Sequence, residues 1–114
     1  MGRRIIENPN DCPLTHAMNI IGGKWKPLII YLLSKGTLRF GKIYTFLPTI
    51  SKKVLTEQLK ELAADGIIFR ERFAEVPPRV EYTLSEKGME LMPILDSISK
   101  WSQNMMTEVH FKKP

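Results

Sequence analysis

Apolar residues recur along most of this chain at intervals of three and four, the spacing of a helix face, and switch to intervals of two for one short stretch. "PLTHAMNIIGG" reads as a first short helix, with Pro13 at its first position and Gly22–Gly23 ending it. "KWKPLIIYLLSKG" is a second, with Pro27 in its first turn, an apolar face of Leu28, Tyr31 and Leu32, and Gly36 beyond its end. "TLRF" is a short strand or an extended link, and "GKIYTFLP" a third helix stopped by Pro48. In "SKKVLTEQLKELAADG", Ser51 is the N-cap of a fourth helix and Leu55, Leu59 and Leu62 share one face. Gly66 suits the left-handed position just past its end.

After Gly66 the period becomes two. "IIFRERFAEV" and "RVEYTLS" are strand-like runs joined by Pro77–Pro78. Val80, Tyr82 and Leu84 are expected on the buried face of the second strand, and Phe69 and Phe73 on that of the first. Ser85 then caps a long helix, "EKGMELMPILDSISKWSQNMMTEVHF", which Pro93 bends or restarts. Along it Leu95, Ile98, Met105, Met106 and Val109 lie beside Ile94 and Trp101, more apolar surface than the last helix of a small domain needs. Four helices, a hairpin and a helix predict a mainly α fold with a small β-hairpin wing, a winged helix-turn-helix. We expect a single domain over 1–114, with the helix-turn-helix at about 41–65 and the wing at about 67–84.

Lys52 and Lys53 are out of place in this scheme. They stand in the first turn of the fourth helix, beside the positive end of the helix dipole, where carboxylates are preferred. The second helix of a helix-turn-helix enters the major groove of DNA by its N-terminal end, and there the lysines meet phosphate. The charge distribution agrees. Residues 22–60 carry eight lysines and arginines against the single acid Glu57, whereas the net charge of the whole chain is +5. Such a basic segment points to a polyanion, here double-stranded DNA. Ser51, Lys52, Lys53, Thr56, Glu57 and Lys60 form the face opposite the leucines, with Gln58 at its border. Thr56 and Gln58 are placed to read base edges, and the lysines to read guanine or hold phosphate.

Arg39 and Lys42, flanking the start of the third helix, are expected phosphate contacts; Lys24 and Lys26 are weaker candidates. At the hairpin tip Pro77 and Pro78 stiffen an extended loop beside Arg79. That arginine either enters a minor groove or pairs with Glu75 or Glu81. Arg70 and Arg72 either contact DNA or pair with neighbouring acids.

Length and composition narrow the rest. The 114 residues, 43% hydrophobic, suit one folded domain, and no apolar run is long enough to span a membrane. "MGRRIIENPNDCPL" lacks a secretory h-region, so a cytoplasmic protein is expected. His16 and His110 are isolated, no Gly-rich phosphate loop occurs, and no metal-ligand or triad spacing appears. Neither enzyme, metal nor cofactor is expected. Cys12, the single cysteine, sits at the N-cap of the first helix, where the dipole lowers a thiol pKa. It is therefore a candidate redox sensor, although any disulfide it forms is intermolecular or with a small thiol.

"CPLTHAMNIIGGKWKPLIIYLL", "LRFGKI", "ISKKVLTEQLKELAADGII" and "EVPPRVEYTLSEKG", followed by a helix near Trp101, together resemble the HxlR-type winged helix-turn-helix regulators of bacteria, from Cys12 to about Trp101. The resemblance implies a homodimeric, sequence-specific transcriptional regulator on a pseudo-palindromic operator. Its dimer would form through about 12–22 and 86–110, with Leu95, Ile98, Trp101, Met105 and Met106 in the interface. Some members with a cysteine before this proline sense electrophiles or oxidants, the position Cys12 holds. The alternative reading is a winged-helix protein–protein interaction module, which leaves the basic segment unexplained.

Overall fold

The computed structural model describes residues 8–112, with side-chain surroundings as far as Thr107. A 3-10 turn at Pro9–Asp11 leads into α1 (Pro13–Ile21), α2 (Trp25–Leu33), the two-residue strand β1 (Leu38–Arg39), α3 (Phe40–Phe46) and α4 (Lys52–Ala64). The hairpin follows as β2 (Ile68–Phe73) and β3 (Arg79–Leu84), and the chain closes with α5 (Glu86–Glu90) and α6 (Met92–Lys112). The link "TLRF" is a strand in part. Leu38 opposes Tyr82, so the sheet has three antiparallel strands in the order β1-β3-β2.

Local chemistry sets the boundaries. Ser51 accepts a hydrogen bond from the Val54 N–H at 3.1 Å and caps α4. Gly66, at φ +76, supplies the left-handed step after it. The turn between α3 and α4 needs the same step at Thr49, whose φ is +72, while its neighbours Leu47 and Ile50 are buried. The C-terminal helix breaks at Leu91 and restarts with Pro93 in the first turn of α6, where a missing N–H costs nothing.

Ser85 locks the end of the hairpin to the end of α4. Its hydroxyl donates to the Gly66 and Ile67 carbonyls at 2.7 and 2.9 Å and accepts from the Gly88 N–H at 3.1 Å. Gly88 packs so closely that a Cβ would lie 2.5 Å from the Ile67 carbonyl oxygen.

The core is built from Ile29, Ile30 and Leu33 of α2, Ile43 of α3, Leu55, Leu59 and Leu62 of α4, and Ile68, Tyr82 and Leu84 of the sheet. On α2 the buried face is therefore one position away from Leu28 and Tyr31. Those two are exposed toward α6 and line, with it, an apolar groove of about 520 Å³. Lys26 is buried and ion-paired with Glu61, so it ties α2 to α4 and is not free for DNA.

The hairpin corrects a second expectation. Ile68 pairs with Leu84, Arg70 with Tyr82 and Arg72 with Val80, so these residues share the core-side face. Phe69 and Phe73 stand on the outer face, opposite Thr83 and Arg79, and Phe69 is 62% exposed. The aromatic pair invited the wrong register, whereas Ile67 and Ile68 are the residues that enter the core.

Candidate nucleic-acid interface

The helix-turn-helix is held rigidly from below. Leu55, Leu59 and Leu62 are no more than 1% exposed and pin α4 against α2 and the sheet. The opposite face of α4 is free. Lys52, Lys53, Thr56, Glu57 and Lys60 are exposed there, whereas Gln58 is half-buried on the flank away from the hairpin. The first turn of α4 contains no acidic residue, so the positive helix end and two ammonium groups coincide. Together they make an anion-attracting tip.

Not every polar group on this face is free to act as a donor. The Thr56 hydroxyl donates to the Lys52 carbonyl at 2.7 Å, which leaves its oxygen lone pairs and methyl group for a partner. Lys52 Nζ lies 5.6 Å from the centre of the Tyr44 ring, and Lys42 Nζ 5.8 Å from that of Phe46. Tyr44 and Phe46 are exposed, so α3 presents two aromatic–lysine pairs beside the tip of α4. Sequence reasoning named the lysines and missed the aromatics. The signal was there: both rings lie off the face defined by Ile43 and Leu47.

Arg39 is exposed at the N-cap of α3 and opposes Glu81 across the sheet. Pro78 is exposed at the tip of the wing. The tip is a bend with a cis Val76–Pro77 peptide, not the extended segment expected. Arg79 turns back onto the outer face of the hairpin. Its Nη1 lies 2.9 Å from Glu75 and its Nε 3.1 Å from Glu81, and its guanidinium stacks 4.0 Å from the centre of the Phe73 ring. Of the two readings of Arg79, pairing with acids is the one observed.

Arg70 lies on the other side, facing α4. With Thr56 and Lys60 it lines a cleft of about 630 Å³ whose apolar walls include Phe40, Leu59 and Tyr82. The cleft joins the wing to the exposed face of α4 and sets Arg70 beside Thr56 and Lys60.

Away from this face, Cys12 is half-buried at the N-cap of α1. The backbone N–H of Thr15, and then that of Leu14, hold its thiol pKa below the ordinary value, although no full cap hydrogen bond closes. Ile98, Trp101, Met105 and Met106 are exposed along α6, at 49%, 65%, 46% and 67%. Leu95 is half-buried against the core and lines the groove with α2. Val109 lies in α6, but its side chain falls outside the described residues. Among the described residues no three His, Cys, Asp or Glu side chains gather as metal ligands, and no helix is long and apolar enough to cross a membrane.

Comparison with known proteins gives this geometry a context. A helix-turn-helix transcriptional regulator of Methanothermobacter thermautotrophicus is 48% identical over 92 residues, 81% of this chain and 70% of the relative. The crystal structure of the regulator YtcD superposes with a TM-score of 0.80 at 42% identity, covering 84% of this chain and 98% of that one. The oxidised form of the redox regulator HypR does so with a TM-score of 0.76, also at 42% identity, covering 82% and 96%. Residues 20–110 match the HxlR-like helix-turn-helix family, and the chain belongs to that family of DNA-binding transcriptional regulators.

Proposed function

We propose that two copies of this chain associate through α1 and α6 and bind a pseudo-palindromic operator, one α4 in each of two major-groove half-sites about one helical turn apart. The observation that carries the reading is the tip of α4, where two lysines crowd a positive helix end that folding alone would leave acidic. Lys53 and Lys60 would hold phosphate or read guanine, while Thr56 would accept from a base amino group or touch a thymine methyl. Ser51, Lys52, Lys42 and Arg39 would anchor the backbone on either side of the helix, and Pro78 would place the wing tip. Gln58 is left a peripheral role by its partial burial.

Association of two copies would account for the exposed apolar residues of α1, α2 and α6. Met18, Leu28, Tyr31 and Ile98 line one exposed groove, and Trp101, Met105 and Met106 are exposed farther along α6. Cys12 caps α1, the helix that carries Met18 of the groove, so its oxidation or alkylation would alter the angle between the two α4 helices. The occupied operator would then be blocked or released without any cofactor.

Sedimentation of the chain alone and with a selected duplex tests this. The expected result is a dimer in both, two copies per duplex. A monomer that binds duplex one-to-one would overturn the symmetric arrangement. Alkylating Cys12 should change duplex affinity, and unchanged affinity and dimer geometry would remove the sensing role.

A further inference from the structure

The hairpin keeps its acids, with Arg79, on one face and leaves only cations on the other. Strand β2 reads Arg70, Glu71, Arg72, and alternation puts the two arginines on the face toward α4 and the glutamate on the other. Glu71 opposes Glu81 on that outer face, and Glu75, Glu81 and Arg79 form their ion pairs there. On the inner side Arg70 and Lys60 line one cleft, and no carboxylate lines it. Neither cation takes part in an ion pair among the described residues, whereas Lys26 and Arg79 do. Both are exposed cations at a cleft whose other walls include Phe40, Leu59 and Tyr82. An anion seated in the cleft would be attracted by both.

We propose that the cleft between α4 and the hairpin seats a phosphate of the DNA backbone, with Arg70 and Lys60 as its donors. The inference rests on the operator reading above and adds a contact from the body of the wing. Its position favours backbone phosphate over a base, because the cleft lies between the two DNA-facing elements and not at the tip of α4. An arginine fork suits such a site, since it meets two phosphate oxygens at once. The contact fixes the wing against the same strand that α4 enters. It gives affinity and register, with no preference for sequence.

Arg70→Gln and Arg70→Lys test this on the full-length protein with a selected duplex. Removing one phosphate contact per protomer should lower the log–log salt slope by about 0.9 for each protomer bound. It should weaken binding on the order of tenfold or more, equally on matched and mismatched duplexes. Arg70→Lys should keep most of the slope and lose part of the affinity. Glu71→Gln, one residue away on the outer face, should not lower the slope. Arg70 is exposed and in no ion pair among the described residues, so a urea midpoint equal to that of the wild type is expected and shows that the fold is intact.

A wild-type slope in Arg70→Gln overturns the proposal and leaves the operator reading standing. Failure of the wild type to bind any duplex overturns both. Inorganic phosphate, titrated without DNA and followed by amide shifts of β2 and α4, separates the sources. Saturable binding at the cleft together with an unchanged duplex slope in Arg70→Gln assigns the seat to a free anion and overturns the DNA contact.

Discussion

Replacing Lys53 with glutamate should raise folding stability and lower duplex affinity together. Lys53 is the second residue of α4, exposed, after the Ser51 cap and Lys52. A cation there opposes the helix dipole by roughly 0.3–1 kcal/mol, and a carboxylate is favoured by a similar amount. Charge reversal is therefore expected to stabilise the fold by roughly 0.6–2 kcal/mol, near the lower end because the site is solvated and screened. That corresponds to a rise in Tm of roughly 3–8 °C for a domain of this size. The comparison is made at one protein concentration, since dimerisation itself shifts Tm.

The effect on DNA has the opposite sign. Loss of one phosphate contact per protomer flattens the log–log salt slope by about 1.8 for a dimer. Repulsion by the new carboxylate weakens binding further. Lys53→Gln should fall between the two proteins on both axes. Thermal unfolding and a salt series of duplex titrations read the two quantities on the same preparations. A variant that unfolds earlier than the wild type, or one that binds duplex with an unchanged slope, would refute the claim that Lys53 serves DNA at the expense of the helix.

Ser85→Ala should destabilise the fold by about 1–3 kcal/mol, because it removes the cap of α5 and leaves the buried Gly88 N–H without its acceptor; urea unfolding measures this. Gly88→Ala should be destabilising for a different reason, the 2.5 Å approach of its Cβ to the Ile67 carbonyl, and the two variants should show a lower urea midpoint with the wild-type slope. Trp101→Glu, at an exposed position of α6, should shift sedimentation from dimer to monomer while far-UV dichroism stays unchanged. Cys12 should react with iodoacetamide with a half-maximal rate at lower pH than a free cysteine. The N–H groups of Thr15 and Leu14 favour its thiolate, and Thr15→Pro should remove the larger share of that shift.

Much of the fold was legible because its boundaries are local. Pro13, Ser51, Gly66, Ser85 and Pro93 each act within a turn of their own position, and each stands where its chemistry required. The leucine face of α4 was legible for the same reason. Strand register was not, since it depends on which of two adjacent residues meets a distant helix. Phe69 and Ile68 both suit a strand, and only packing against α4 and α5 decides between them. The side that the arginines face followed from that choice.

Lys26 is the clearest case of a charge that sequence cannot place. Its neighbours on α2 are apolar, and its partner Glu61 lies thirty-five positions along the chain. Arg79 had two legible partners, Glu75 and Glu81, and made ion pairs with both. Tyr44 and Phe46 are exposed although aromatics on a short helix are ordinarily core. Here α3 is only seven residues long and buries Ile43 alone.

The most direct test of the account is selection of bound duplexes from a random library, followed by a salt titration on the best of them. The account predicts a two-fold symmetric sequence with half-sites about one helical turn apart, bound with a steep negative log–log salt slope. An enriched pool without symmetry would contradict the paired α4 helices, and no enrichment with a shallow slope would contradict the operator reading as a whole.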